Sequence, residues 1–238
     1  MADGVRFVSA GALPVLAILL FVGLIIVLIP LLILGVIGAA FTKLGFSWIT
    51  AIAVVLLMLF GSYVNIPLYR IKRDMVRMSP DTTAVFGSGS PWQADPVWET
   101  IVSINLGGAI LPVCISLYLL FQAFSITGSS LMVPVGAGIL VVALVTYFAT
   151  RQVPGVGLRV PLLIPALTAL LMSLLLFGGA GIPATVVAFV SGTIGTLLGG
   201  NIARLNRIRD LEIPEMSIGG AGTFSAIFIC CILPALIA

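Results

Sequence analysis

Histidine is absent from this chain, which removes the commonest general base and the commonest transition-metal ligand together. Zinc, haem and copper chemistry are not expected on that ground, and no cofactor or metal site is expected. Charge is scarce as well: 8% of the 238 residues are Asp, Glu, Lys or Arg, against about 25% in a typical soluble domain. The acidic residues are Asp3, Asp74, Asp81, Asp95, Glu99, Asp210, Glu212 and Glu215, and all fall in tails, loops or the ends of apolar runs. A carboxylate pair or a proton relay at bilayer depth therefore lacks its parts. The three cysteines, Cys114, Cys230 and Cys231, lie inside apolar runs without the spacing of a disulfide framework or a zinc site, and are expected to pack as small hydrophobes.

What the chain has instead is apolar length. With 61% hydrophobic residues, it carries more apolar surface than a soluble core of this size can hide, so lipid is the expected solvent. A crossing helix needs about 20 apolar residues, and lipid offers no partners for an open backbone. The sequence thus predicts an all-α integral membrane protein of about seven transmembrane helices in a single membrane domain. The expected spans are roughly 13–41, 46–68, 99–123, 131–150, 159–178, 182–201 and 217–237. The first run exceeds the roughly 7–15 apolar residues of a signal-peptide core and is expected to be a true span.

The basic residues set the expected topology. Arg6, Arg70, Lys72, Arg73, Arg77, Arg151, Arg159, Arg204, Arg207 and Arg209 fall in the amino-terminal tail and in the loops after the second, fourth and sixth spans, leaving Lys43 alone on the other side. Lysine and arginine accumulate in cytoplasmic loops, so the amino terminus is expected inside and the carboxyl terminus outside. The net charge of +3 belongs to a membrane surface, with membrane lipids as partners and no nucleic acid. The 69–98 segment is a cytoplasmic polar loop too short to be a domain. Its Arg70, Lys72, Arg73 and Arg77 either hold lipid headgroups or serve as the topology signal.

Neutral polar residues cluster where the second span closes and the third opens. Tyr63, Asn65 and Asn105 stand beside Pro67, Gly107, Gly108 and Pro112, where perturbed helices expose backbone carbonyls. These residues form either a polar pocket or a set of hydrogen bonds between helices, each worth about 0.6–2 kcal/mol. Farther along, Ser191, Gly195 and Gly199 recur every fourth residue on one face of the sixth span, an arrangement that lets backbones approach closely. Gly219, Gly220 and Gly222 open the seventh span, so packing of the sixth against the seventh is expected. The GGAG element occurs at 178–181 and at 219–222, too short a match to imply an internal repeat. Nor is it a phosphate loop, which needs a lysine and a preceding strand. Ser225 has no histidine or intramembrane lysine to activate it as a nucleophile.

The segments SYVNIPLYR (62–70), INLGGAILP (104–112), RQVPGVGLRVP (151–161), SGTIGTLLGGN (191–201) and MSIGGAGTFSAIF (216–228) resemble a prokaryotic membrane family known as domain of unknown function 1614. The resemblance covers nearly the whole chain apart from the first span and the central loop. It implies aspartates where this chain has Asn201 and Ser225, a pair similar in outline to the GxGD intramembrane aspartyl proteases. Neither replacement can share a proton as an aspartyl dyad does, so on this resemblance the chain is a degenerate relative of an intramembrane enzyme.

The expected function is a noncatalytic integral membrane subunit or scaffold of a larger complex, with protein partners in the cytoplasmic membrane of a prokaryote. Two alternatives stay open: a transporter or channel for a neutral or lipid-like solute, using Tyr63, Asn65 and Asn105, and an intramembrane protease. The protease would need an acidic residue reaching inward from Asp210, Glu212 or Glu215.

Overall fold

The computed structural model describes residues 12–73, 98–153, 157–178, 181–210, 213 and 215–237. The chain is predominantly helical. Among the described residues, three helical stretches are long and apolar enough to cross a membrane, Leu19–Lys43, Leu106–Ala149 and Gly181–Asn206. The second of these is two helices, because Gly128 adopts φ +68 and ends the first. In chain order the helices are α1 (Ala12–Lys43), α2 (Trp48–Gly61), α3 (Leu111–Thr127), α4 (Met132–Ala149), α5 (Ile164–Phe177), α6 (Gly181–Gly200) and α7 (Phe224–Ile237). A single π-helical turn, Leu106–Ile110, leads into α3.

The centre of the bundle is α6. Residues 184–193 are all buried, the pattern of a helix surrounded by others, and its small residues set how closely each neighbour approaches. Ser191 meets Gly138, while Gly195 and Gly199 admit Val142 and Ala143, all on α4. Gly192 faces Ala169 of α5 and Cys230 of α7, and Thr193 shares a hydrogen bond of 2.8 Å with Ser116 of α3. The face spaced by four thus receives α4 rather than α7, which meets α6 at Gly192. One residue of helix is a rotation of about 100°, enough to give adjacent glycines different neighbours.

Five strands interrupt the helical pattern: β1 (Asn65–Arg73), β2 (Trp98–Asn105), β3 (Arg151–Val153), β4 (Gly157–Arg159) and β5 (Glu215–Ile218). β1 pairs antiparallel with β2, and β5 pairs parallel with β2 on its other side. Residues 46–68 are therefore helix only over Trp48–Gly61 before the chain becomes strand, and 99–105 are strand before the helix begins. The 14 residues of α2 rise only about 21 Å at 1.5 Å each. Pro67, which has no N–H, sits on the edge strand at the bulge between Pro67 and Tyr69, where a proline is tolerated.

The glycines expected to open the last span form a turn instead. Gly219 and Gly222 have φ +74 and +85, and Gly178 and Gly181, the ends of the other GGAG element, have φ +67 and +89. Both elements thus use positive φ at their first and fourth positions, where a side chain is strained. Gly219 backs onto Gly108, and Gly222 onto the carbonyl of Leu158.

The sheet gathers the connections of one end of the bundle. Val160 N–H donates to Gly222 O at 2.9 Å, and Leu158, Ile213 and Met216 form a small apolar cluster with Leu205. The basic positions Arg70, Lys72, Arg73, Arg151, Arg159 and Arg204 thus collect at one end. At the other end, Lys43 Nζ donates to Leu236 O at 2.9 Å, joining the last residues of α1 and α7.

Candidate functional site

The three strands that cap the bundle bring polar side chains from distant parts of the chain onto one face. Alternation along β2 puts Ser103 and Asn105 on the same side. Ser217 of β5 is the register partner of Ser103, and Asn65 of β1 is the partner of Asn105. Asn105 is buried at the base of this group. Its Nδ2 donates to Ser62 O at 2.7 Å and to Asn65 Oδ1 at 2.9 Å, and its Oδ1 accepts from Gly108 N–H at 2.7 Å. The last bond caps the π-helical turn, so this asparagine both starts a helix and ties two strands together.

Above it, Ser217 Oγ donates to Asn65 Oδ1 at 2.7 Å, and Asn65 Nδ2 donates to Glu215 Oε1 at 3.2 Å. Ser103 Oγ donates to the same carboxylate oxygen at 2.8 Å. Beside this network is a cleft of about 120 Å³ lined by Asn65, Leu158, Asn201, Glu215, Met216, Ser217 and Ala221. Asn201 follows α6 and is 1% exposed. Its Nδ2 donates to Thr223 Oγ1 at 3.1 Å, and its Oδ1 has no hydrogen-bond partner among the described residues.

Of the residues singled out in the sequence, Asn65 and Asn201 line the cleft, and Asn105 lies directly behind Asn65. Tyr63 does not belong with them: it sits in the turn after α2 and is 88% exposed. Ser225 is exposed on α7, and the residue of that segment bonded to Asn201 is Thr223. Arg70 pairs with Glu99 at 3.4 Å. Lys72 and Arg73 occupy β1 opposite Glu99 and Trp98, and Arg77 lies outside the described residues. Sequence reasoning left Ser103, Glu215 and Ser217 out of the site. The signal was present as two short stretches with polar residues at alternate positions, Ser103 with Asn105 and Glu215 with Ser217.

A second polar feature lies close by. Arg204 is 7% exposed; its guanidinium stands 4.6 Å from the centre of the Tyr147 ring and donates to the Tyr147 carbonyl oxygen. Its Nε and the hydroxyl of Thr146 are buried without partners among the described residues.

These features describe a helical protein with helices built to cross a membrane and a small polar sheet closing one end of its bundle. The chain belongs to the family described as "Protein of unknown function (DUF1614)", whose match spans residues 59–237. No curated protein and no solved structure matches it.

Proposed function

We propose that this protein is a noncatalytic subunit or scaffold of a larger complex in a prokaryotic cytoplasmic membrane. In this reading its seven helices cross in alternate directions, with the sheet and the basic residues on the cytoplasmic side and the carboxyl terminus on the other. The collection of arginines and lysines at one end of the bundle favours that orientation. The observation that carries the subunit reading is α1. From Leu19 to Ile33 every residue is exposed, so this part of the helix touches the bundle on no side. Only its last turns, with Ile37, Ala40 and Phe41, are buried in the core. Such a helix is available on all faces to helices of other chains, and Gly23 and Gly35 on it have open space around them, which suits close packing.

The interior favours structure over catalysis or passage. The hydroxyls of Ser116, Thr193 and Thr196 each bond a carbonyl of their own helix, Ser116 and Thr193 also meet between α3 and α6, and Ser173 of α5 donates to Ala184 O of α6, so these groups are satisfied inside the bundle. Extraction from the native membrane in nanodiscs, followed by native mass spectrometry, tests the proposal. Stoichiometric recovery with other polypeptides, lost when residues 12–33 are replaced by an unrelated apolar helix, is the expected result. Recovery as a lone chain overturns it. In that case the cleft beside Asn65 and Asn105 makes transport of a neutral or lipid-like solute the second reading.

A further inference from the structure

The cleft between the sheet and the end of α6 is lined by polar groups whose hydroxyls are turned into the protein. Ser103 donates to Glu215 and Ser217 to Asn65, and the amides of Asn65 and Asn201 each spend one N–H, on Glu215 and Thr223. Two acceptors are left over. The Oε2 of Glu215 accepts no hydrogen bond among the described residues, and the Asn201 Oδ1 is buried with no partner. A buried amide oxygen without a partner is costly, and here it belongs to a residue lining an open space that also holds a carboxylate.

We propose that this cleft binds a primary ammonium group carried on a short carbon chain, with Glu215 supplying the counter-charge and Asn201 Oδ1 a neutral acceptor. An ammonium brings three N–H donors and a single positive charge, matching the leftover acceptors and the one carboxylate. Leu158, Met216 and Ala221 give the apolar wall that methylene groups require. A divalent cation fits poorly, because it demands six or more oxygen ligands or a near-ideal octahedron, and one carboxylate among neutral side chains does not supply that field.

The aminoethyl group has two sources at this height in the protein, a free amine and the headgroup of an ethanolamine phospholipid. The lipid is the expected tighter ligand. Outside the residues that line the cleft, Arg159 stands directly across from Arg151 on the β3–β4 hairpin. Both arginines are exposed, and neither has an acidic partner among the described residues. Two like charges facing each other across strands are unfavourable, and a phosphate between them would remove the repulsion.

The test needs no partner polypeptide, so it stands or falls separately from the subunit reading. Full-length protein in a maltoside detergent is titrated calorimetrically with ethanolamine hydrochloride and with choline chloride, whose quaternary nitrogen has no N–H. The same protein in nanodiscs of equal phosphatidylethanolamine and phosphatidylcholine is examined by native mass spectrometry for retained lipid. The expected result is a preference for the N–H-bearing species of about tenfold or more, the scale of one charge-assisted hydrogen bond, erased by Glu215→Gln. The glutamine keeps an acceptor for Ser103 and Asn65. A preference seen only in the titration assigns a free amine, and one seen only among the lipids assigns the headgroup. Equal binding of choline and ethanolamine species in both experiments overturns the proposal without recourse to a variant. So does a preference that survives Glu215→Gln.

Discussion

Asn105 donates directly to Asn65, 40 residues earlier, at 2.9 Å, and the same two residues are register partners where β1 and β2 leave the helices. One amide thereby fixes the strand register, the exit of α2 through Ser62 O, and the start of the next helix through Gly108 N–H. Replacing it with alanine removes a helix cap, leaves the buried Gly108 N–H without its acceptor, and takes a donated bond from Ser62 O and from Asn65 Oδ1. The expected loss is about 2–4 kcal/mol, read as a lowered thermal midpoint in detergent. Asn105→Asp keeps the cap but loses both donated bonds, so its midpoint should fall between those of wild type and Asn105→Ala.

The glycines divide into those that a methyl group would disrupt and those it would not. A Cβ on Gly107 would run into the backbone of Met58 and Ser62, and one on Gly199 into the carbonyl of Ala143. Neither obstacle is a flexible side chain, so Gly107→Ala and Gly199→Ala should each cost about 3 kcal/mol or more. Gly136, inside α4, has nothing within 4 Å of the same position. Gly136→Ala should be neutral or stabilising by up to about 1 kcal/mol through helix propensity. Midpoints of the three variants measured side by side check the contrast. A Gly199 variant as stable as the Gly136 variant would contradict the close approach of α4 and α6.

Arg204 is held through its guanidinium, which lies over the Tyr147 ring and donates to the Tyr147 carbonyl. Lysine retains the charge but lacks the flat, multi-donor head. Arg204→Lys should therefore destabilise by about 1–2 kcal/mol and fail to rescue Arg204→Ala fully. Chemical denaturation of the two variants decides it: equal stability of Arg204→Lys and wild type would mean that charge alone matters at this position.

The proposed orientation has a simple reporter. Alkaline phosphatase fused after Ala238 should be active, and a green fluorescent protein fused there should be dark, because the two mature on opposite sides of a bacterial inner membrane. The reverse pattern would place the sheet outside and remove the basis for the assigned orientation.

The helices were legible because their signal is local: unbroken apolar runs at the lengths that lipid demands. The strands were hidden by the same signal. Val64, Ile66 and Leu68 carry the hydropathy of α2 onward past Ser62, Asn65 and Pro67, so β1 reads as the end of a span although its partners, from Asn105 back to Trp98, lie far along the chain. Asn65 and Asn105 stood out as polar residues beside glycine and proline. Glu215 and Ser217 could not be joined to them, because the bond from Ser103 to Glu215 crosses 112 residues and four strand residues carry almost no pattern. The glycine spacing on α6 marked a close helix contact, but spacing on one helix does not say which neighbour fills it, and α4 rather than α7 does so.

The parallel pairing of β2 with β5 also dictates an order of events during biosynthesis. β1 and β2 emerge close together and can pair as soon as both are made, but the strand that closes β2's other edge comes more than a hundred residues later, after four further helices. Until then β2 presents unpaired backbone groups at the mouth of a half-built bundle, the kind of edge that invites wrong pairings. A ribosome that stops after α6 leaves a protein with most of its helices and an open seam. Completion of the sheet thus waits until everything before α7 has been made.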